Sequence, residues 1–364
     1  MQKRLKWLAL AVPVSLLVAC NDEPSAPKPA DGVASVGATA SLHAAQAYGI
    51  KDLGTLGGSW AEGRAINDEG WVVGVSQVSV GVFHAFLWKD GHMTDLGTLG
   101  GTSSKALGIN NAGEVVGTSA IAGDAVDHAF LWRHGRMMDL GGLGGSYAEG
   151  FVINDRGDVA GGGVTPDGVF HAALFRHGRV TDLGTLGGSG SWSNGISNED
   201  VVVGGANVAG DVAQDAFVWR DGVMHDIGTL GGTYGGASYI NGSGTVAGGS
   251  TIAGDLATHA FIWRHGRMSD LGTPGGIYTE SYASWINDRG QVAGQTCTPD
   301  YETSCHALLW YNGAMTDLGV LPGGYDYSGA QSINDRGQVA GYAYTADLNE
   351  RAVMWTPTPD HDHR

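Results

Sequence analysis

The feature that most constrains the fold is a repeated unit of about 44 residues, a period typical of propeller blades built from four strands each. The motif Asp-Leu-Gly or Asp-Ile-Gly begins seven copies, at Asp52, Asp95, Asp139, Asp182, Asp226, Asp270 and Asp317. Each copy continues with a Gly-Gly loop, an Ile-Asn-Asp-x-Gly segment such as Ile66–Gly70, and a His-Ala-Phe-Leu-Trp segment such as His84–Trp88.

The local chemistry of one copy predicts four strands, called a to d. Asn67–Gly70 offers an Asx residue and a glycine, which suit a hairpin between strands a and b, and Lys89–Gly91 suits a second hairpin between c and d. Segments such as Trp71–Val73 and Ala85–Trp88 are continuously apolar. A sheet that is covered on both faces has such strands, as a blade has between two neighbours.

The two ends of the repeat region complement each other. Tyr48–Gly54 matches a strand d with no strand c before it, and Arg351–Trp355 matches a strand c with no strand d after it. If these segments pair, the ring closes without a bare sheet edge. We therefore expect an all-β, seven-bladed β-propeller with four-stranded antiparallel blades over residues 48–356, closed by the N-terminal strand. An open repeat array or a β-helix is the alternative.

The repeat also resembles the HAF family of extracellular repeats, named after the His-Ala-Phe found here at residues 84–86, 128–130 and 259–261. The resemblance covers residues 48–355. Asp215 and Arg351 replace the histidine in two copies, and a third copy reads His171-Ala172-Ala173. The resemblance implies the repeat architecture and adds little about chemistry.

The N-terminus has the pattern of an export signal. Lys3, Arg4 and Lys6 precede an apolar run from Trp7 to Ala19, which at about 20 Å is too short for the roughly 30 Å bilayer core. Leu17–Cys20 resembles the lipobox of bacterial lipoproteins, which implies cleavage before Cys20 and lipidation of its thiol. An ordinary secretory signal with an incidental cysteine is the alternative.

Residues 20–47 are rich in Ala, Pro and Ser and predict a flexible tether, and residues 357–364 form a polar tail. We therefore expect a cell-envelope protein anchored in a bacterial bilayer through acylated Cys20, with the propeller outside the cytoplasm and the outer membrane or cell surface favoured. The formal net charge of −17 argues against nucleic acid as a partner. The remaining cysteines, Cys297 and Cys305, are expected to form a disulfide. A Cys-His metal site including His306 is the rival.

Residues present in most copies are interpreted as structural. Histidine recurs at 84, 128, 171, 259 and 306, and we expect each to bond the strand-d aspartate, such as Asp95. The aspartate of Asp-Leu-Gly should bond backbone amides at a strand end. Asp124, Asp211 and Asp255 recur in Ala-Gly-Asp turns. These are predicted as turn residues, with Ca²⁺ ligation as the alternative and no other cofactor expected.

Function is sought where the copies differ. Aromatic residues follow or lie near the Gly-Gly loops, accompanied by carboxylates. The candidate ligand-binding residues are Trp60, Glu62, Tyr147, Glu149, Trp192, Tyr234, Tyr278 and Tyr325, with Glu280 and Asp326 beside them. Aromatic faces next to carboxylates suit sugars and equally suit a protein partner, although these rings could simply cover the glycine backbone.

No catalytic motif occurs: Gly-x-Ser-x-Gly, His-Glu-x-x-His and phosphate-binding glycine loops are all absent from the sequence. The leading interpretation is a non-enzymatic envelope lipoprotein that presents a recognition face to a glycan or protein. One alternative is a polysaccharide lyase or hydrolase with Glu62 or Glu149 as acid or base, which requires two converging groups. The other is a purely structural envelope scaffold.

Overall fold

The computed structural model describes residues 48–300 and 304–358. The predicted signal peptide, Cys20, the tether and residues 359–364 lie outside the described residues. Within the described part, the chain forms β-strands and one short 3-10 turn, Ala209–Asp211. No helix of this part is long and apolar enough to cross a membrane.

Strands a to d recur in each repeat. Repeat 1 contains β2(Ala61–Ile66), β3(Val72–Ser79), β4(Val82–Lys89) and β5(His92–Asp95). Repeat 2 contains β6(Gly100–Ile109), β7(Val115–Ile121), β8(Asp127–Arg133) and β9(Arg136–Gly141). Repeat 3 contains β10(Ala148–Ile153), β11(Val159–Val164), β12(Phe170–Arg176) and β13(Arg179–Asp182). Repeat 4 contains β14(Gly187–Ile196), β15(Val202–Val208), β16(Gln214–Arg220) and β17(Val223–Gly228).

The remaining repeats follow the same order. Repeat 5 contains β18(Gly231–Ile240), β19(Val246–Ile252), β20(Thr258–Arg264) and β21(Arg267–Asp270). Repeat 6 contains β22(Glu280–Ile286), β23(Val292–Cys297), β24(Cys305–Tyr311) and β25(Ala314–Asp317). Repeat 7 contains β26(Ser328–Ile333), β27(Val339–Tyr344) and β28(Glu350–Pro357), and its fourth strand is β1(Tyr48–Asp52).

The sheets correct one expectation. Five sheets have four antiparallel strands, but repeats 4 and 5 share one eight-stranded sheet, so seven separate blades are not formed. The cause is a single parallel pairing between Gln214, at the start of strand c, and Tyr234 in the following strand a. Equivalent bridges join Asp127 to Tyr147 and Cys305 to Tyr327, but there the tyrosine lies outside a named strand and the sheets remain separate.

The N-terminal strand pairs with the last repeat, as the sequence predicts. β1 runs antiparallel to β28, with Tyr48 opposite Pro357 and Asp52 opposite Val353. Repeat 1 also packs against repeat 7, since buried Phe86 and Trp88 share a core cluster with Ala340 and Ala352. Burial of this kind on both faces explains the continuously apolar strands.

Hydrogen bonds between neighbouring a–b turns tie the repeats together. The side-chain amide of Asn67 donates to the backbone carbonyl of Asn110 at 3.1 Å. The pattern recurs along the chain until the side-chain amide of Asn334 donates to the backbone carbonyl of Asn67 at 2.9 Å. Ser197 replaces the asparagine in repeat 4, and there the amide of Asn194 bonds the Ala237 carbonyl instead. The repeated asparagine is thus both a turn former and a link to the next repeat.

A repeated glycine in strand b has a steric cause. In every a–b pair the register shifts at a bulge near the middle of strand a. In repeat 4, a Cβ atom on Gly204 would collide with the carbonyl oxygen of Trp192 in strand a. The equivalent glycine meets the same obstacle in all seven repeats, at Gly74, Gly117, Gly161, Gly204, Gly248, Gly294 and Gly341. These seven glycines are therefore needed to build the sheets.

Candidate functional site

The histidines of strand c are structural, as predicted. His84 Nδ1 lies 2.8 Å from an Asp95 carboxylate oxygen, and the other four histidines pair with their strand-d aspartates at 2.6–2.9 Å. The aspartates also cap the chain where strand d ends: Asp95 accepts a hydrogen bond from the Gly97 amide, and all seven repeats share this bond. Each pair fastens strand d to strand c.

Repeat 4 lacks this His–Asp pair. Asp215 replaces the histidine and faces Asp226, so two carboxyl groups meet where other repeats have a carboxylate and an imidazole. Partial burial and the charge of Asp226 raise the pKa of Asp215 to about 6. In repeat 7, Arg351 takes the histidine position and lies 3.5 Å from Asp52 of β1.

The aspartates of the Ala-Gly-Asp turns accept hydrogen bonds from a neighbouring segment of the chain. Asp124 adopts a positive φ of 54° and accepts hydrogen bonds from the backbone and hydroxyl of Thr102. Asp211 and Asp255 bind Ser189 and Thr233 in the same way. These carboxylates therefore join the b–c loop to the beginning of strand a of their own repeat. The described residues contain no group of three or more His, Cys, Asp or Glu that could hold a metal ion.

Cys297 and Cys305 form the predicted disulfide at the base of the b–c loop of repeat 6. His306, the alternative metal ligand, instead bonds Asp317 through Nδ1 and Asp326 through Nε2. The disulfide reading of the two cysteines is confirmed.

Strand a of each repeat lines the central axis. At the a–b turn end, a cavity of about 130 Å³ is bordered by residues of all seven repeats, among them Asp68, Asp155, Asp288 and Asp335. Tyr239 and Trp285 stack inside it with ring centroids 3.6 Å apart. The opposite end of the same strands, where the d–a loops enter, carries most of the candidate binding residues.

One position of strand a varies strongly around the axis. Glu62 pairs with Val75 of strand b, and the residues in the equivalent register are Lys105, Glu149, Trp192, Gly236, Tyr282 and Gly329. We call this set the variable ring. Repeats 1 to 3 contribute charged side chains, and repeats 4 and 6 contribute aromatic ones. At Gly329 the free space is occupied by the Tyr342 hydroxyl of strand b.

The charged part of the variable ring acts as one electrostatic unit. Arg64 Nη2 lies 2.8 Å from Glu62 Oε2, and Glu62 is only 7% exposed. Burial raises the pKa of Glu62, against the opposing charges of Arg64 and Lys105. The same two cations act on Glu149, whose pKa is also raised by burial. Since these groups come from repeats 1, 2 and 3, their side chains share one space at the axis.

A second carboxyl group joins Glu62 from repeat 7. Glu350 is 8% exposed and accepts a 2.7 Å hydrogen bond from the Tyr344 hydroxyl and another from the Trp60 side chain. Burial and the nearby charge of Glu62 raise its pKa to about 8, so Glu350 is largely protonated at neutral pH. Two carboxyl groups, of which Glu350 is protonated at neutral pH, therefore interact where repeats 7 and 1 meet.

The predicted aromatic residues divide into two groups. Trp60 packs edge-on against Phe83, while Tyr147, Phe170 and Trp192 form a continuous cluster with centroids 6.4 Å apart. The Tyr147 hydroxyl donates to Glu149 Oε2 at 2.7 Å. Trp192 is itself a member of the variable ring, and Tyr147 bonds directly to another member, Glu149.

The other predicted residues belong to repeats 5 to 7 and make local contacts, and the Tyr234 hydroxyl also lies 3.7 Å from where a Cβ atom of Gly236 in the variable ring would be. Tyr234 pairs with Gln214 at the junction of repeats 4 and 5, and Tyr278 contacts His306 and Ser304 beside the disulfide. Tyr325 is 41% exposed in a d–a loop. Glu280 accepts a bond from the Thr258 amide, and Asp326 bonds His306, so both serve local structure.

Sequence reasoning missed six residues of this site: Arg64, Lys105, Tyr282, Tyr342, Tyr344 and Glu350. The signal that could have found Lys105 is its alignment with Glu62 and Glu149, four residues before the repeated isoleucine. Glu350 and Tyr344 belong to the last repeat and meet Glu62 only through the contact between the ends of the repeat region.

No family model matches the chain, and no curated protein matches it. Among solved structures, the β-propeller domain of the Trilobed protease from Pyrococcus furiosus aligns with a TM-score of 0.56 at 11% identity, covering 84% of this chain and 100% of that domain. TolB from Acinetobacter baumannii aligns with a TM-score of 0.49 at 11% identity, covering 79% of this chain and 67% of TolB. Together with the sheets, the first alignment defines the class: an all-β β-propeller with four-stranded antiparallel blades.

Proposed function

We propose that this chain is a lipid-anchored cell-envelope protein whose seven repeats form a closed propeller, and that the variable ring binds a glycan. The observation that carries the proposal is the division of the ring into a charged part, with Glu62, Lys105 and Glu149, and an aromatic part, with Trp192 and Tyr282. Sugars stack their C–H faces on aromatic rings while their hydroxyl groups bond to fixed polar groups.

The polar groups are arranged for such a ligand. Glu350, protonated at neutral pH, offers a hydroxyl donor, and Glu62 beside it offers an acceptor held by Arg64. A sugar hydroxyl both donates and accepts, so it can bond to the two neighbouring groups together. The same groups are held in place by Tyr344 and Trp60, which limits the entropy lost when a ligand binds.

The position of Tyr48, where the described chain begins, supports an orientation in which the variable ring faces away from a bilayer. Tyr48 begins β1 opposite Pro357, at the end of the sheet where the other repeats have their c–d hairpins. A tether from Cys20 would therefore join the propeller on the face opposite the d–a and b–c loops. The variable ring would open towards the side away from the lipid.

A glycan array probed with the mature chain tests this function. We expect binding to at least one glycan class, and at least a tenfold loss of affinity in Glu350→Gln and Trp192→Ala. Glu199→Gln, in an exposed a–b turn, is the control and should bind as the wild type does. Absence of any glycan signal, with capture of a specific envelope protein instead, would favour a protein ligand. Absence of both would favour the scaffold alternative.

Hydrolysis at the same site is a second candidate, favoured by the charge interaction between Glu62 and Glu350, which places two carboxyl groups in one site. Glu350 could protonate the glycosidic oxygen as its bond to the anomeric carbon breaks, while the Glu62 carboxylate removes a proton from the water that attacks this carbon. Release of reducing ends from the bound glycan tests this reaction. If it occurs, Glu350→Gln should abolish it; if the wild type releases none, the site only binds.

A further inference from the structure

The charges of the propeller are distributed very unevenly between its two faces. None of the b–c or d–a loops contains a Lys or Arg, although they hold exposed carboxylates such as Asp167, Asp211 and Asp347. Most cations of the described residues lie instead at the a–b and c–d turns. In this chain of net charge −17, the loops of one face thus carry carboxylates and no Lys or Arg, while the turns of the other face carry most of the cations.

The cations of the second face are concentrated at its outer edge. Three c–d hairpins share the sequence Arg-His-Gly-Arg, at 133–136, 176–179 and 264–267, and two others begin with Lys89 and Arg220. We call these hairpins the basic rim. Its only carboxylates within the described residues are Asp90 and Asp221. The rim therefore carries several uncompensated positive charges.

Three arginines of the rim are available to a partner. Arg136, Arg179 and Arg267 are exposed, and no ion pair engages them within the part of the chain that the structure describes. The histidine of each Arg-His-Gly-Arg turn has a positive φ near 50°, the position that Asp90, Asp221 and Asn312 occupy in the other hairpins. Aspartate or asparagine would satisfy the turn equally well, so turn geometry alone does not explain a basic residue here.

The carboxylates elsewhere on this face cancel only part of the charge of the rim. Within the rim, Arg176 pairs with Asp158 and Asp200, and Arg133 lies 3.6 Å from Glu114. Asp68, Asp155, Asp288 and Asp335 border the cavity on the central axis. Charges further apart than about 8–10 Å are largely screened at physiological salt. A flat partner at the outer edge would therefore meet the arginines rather than the axial aspartates.

We propose that the basic rim docks on the anionic lipid headgroups of the membrane that holds the chain. The choice of a bilayer rests on the proposed lipid anchor and on the position of Tyr48 and Pro357, which lie where the seventh c–d hairpin would be. The chain that leads to Cys20 thus joins β1 at the end of the sheets that carries the rim. A single lipid chain gives only marginal anchoring, and a basic patch is a common second signal.

The test uses the mature chain with Cys20→Ser, so that binding cannot come from an acyl group. Cosedimentation is measured with vesicles of phosphatidylcholine alone and of phosphatidylcholine mixed with phosphatidylglycerol. We expect binding only to the anionic vesicles, weakened by added NaCl. Each basic residue near such a surface strengthens binding by about fivefold, so Arg136→Gln with Arg267→Gln should weaken it by about 30-fold.

The matched control is Arg289→Gln with Arg336→Gln, which removes the same charge from exposed a–b turns nearer the axis of the same face. It should weaken binding much less than the rim variant does. Equal binding to neutral and anionic vesicles, equal losses in both variants, or binding to soluble polyphosphate with none to vesicles would overturn the proposal. Glycan binding does not involve the rim, so failure here leaves the proposed function standing.

Discussion

The outer edge of each repeat has nearly the same residues in every copy, whereas the innermost strand has different residues from one copy to the next. At the edge, five repeats use the same His–Asp pair, and all seven use the aspartate that caps strand d. In the innermost strand, the variable ring changes from Glu62 to Lys105 to Trp192 within four repeats. The comparison teaches that the repeated residues build the sheets, while the unrepeated ones share a single space at the axis and can form one site.

The largest expected effect compares two glycines, one in each class. Gly204→Ala, at the repeated strand-b position, forces a Cβ against the Trp192 carbonyl and should cost about 3 kcal/mol or more of unfolding free energy. Gly236→Ala, in the variable ring, has only ordinary contacts 3.7 Å away and should change stability by less than about 0.5 kcal/mol. Urea unfolding of both variants measures the difference. Equal costs would remove the distinction between the two classes.

The next effect concerns the buried carboxyl group of Glu350. Its pKa rises from 4.5 to about 8 on folding. The free energy of unfolding of the wild type therefore decreases as the pH rises from about 4.5 to about 8. Glu350→Gln does not titrate and should become more stable than the wild type by more than about 1 kcal/mol at pH 9, since each pKa unit corresponds to about 1.4 kcal/mol. Thermal unfolding at pH 5 and pH 9 checks this, with Glu199→Gln as the control. A constant difference between the two pH values would contradict the assignment.

A smaller effect separates repeat 4 from repeat 5 at the outer edge. Asp215 has a raised pKa, so its ionisation destabilises the fold as the pH rises from 3.8 to about 6, and Asp215→Asn should gain stability above pH 6. His259 also has a raised pKa, through its bond to Asp270, but as a base it stabilises the fold below pH 6.5 and loses that contribution at higher pH. His259→Asn should therefore lose stability mainly in acid.

Both groups in this last pair are partly exposed, so each change should be below about 1 kcal/mol. The measurement is the melting temperature of both variants and the wild type between pH 4 and pH 9. The two difference curves should have opposite signs in the ranges named. Curves of the same sign would mean that the Asp215–Asp226 pair of repeat 4 contributes to stability in the same way as the His–Asp pairs of the other repeats.

The sequence predicted the parts of the molecule that recur. The asparagine–glycine hairpins, the His84–Asp95 pair and the pairing of Tyr48–Asp52 with the last repeat all follow from comparing one copy with the next. The eight-stranded sheet could not be predicted in this way, because it depends on one backbone pairing between Gln214 and Tyr234. Glu350 was missed for a similar reason, since its nearness to Glu62 arises from packing between repeats at the two ends of the chain.

The most direct test of the account is a side-by-side affinity measurement on the glycan found by array, with Trp192→Ala for the innermost strand and His128→Ala for the outer edge. We expect Trp192→Ala to lower affinity at least tenfold with little change in melting temperature, and His128→Ala to lower the melting temperature slightly without changing affinity. Loss of affinity in His128→Ala, with unchanged affinity in Trp192→Ala, would contradict the division between residues that build the sheets and residues that bind.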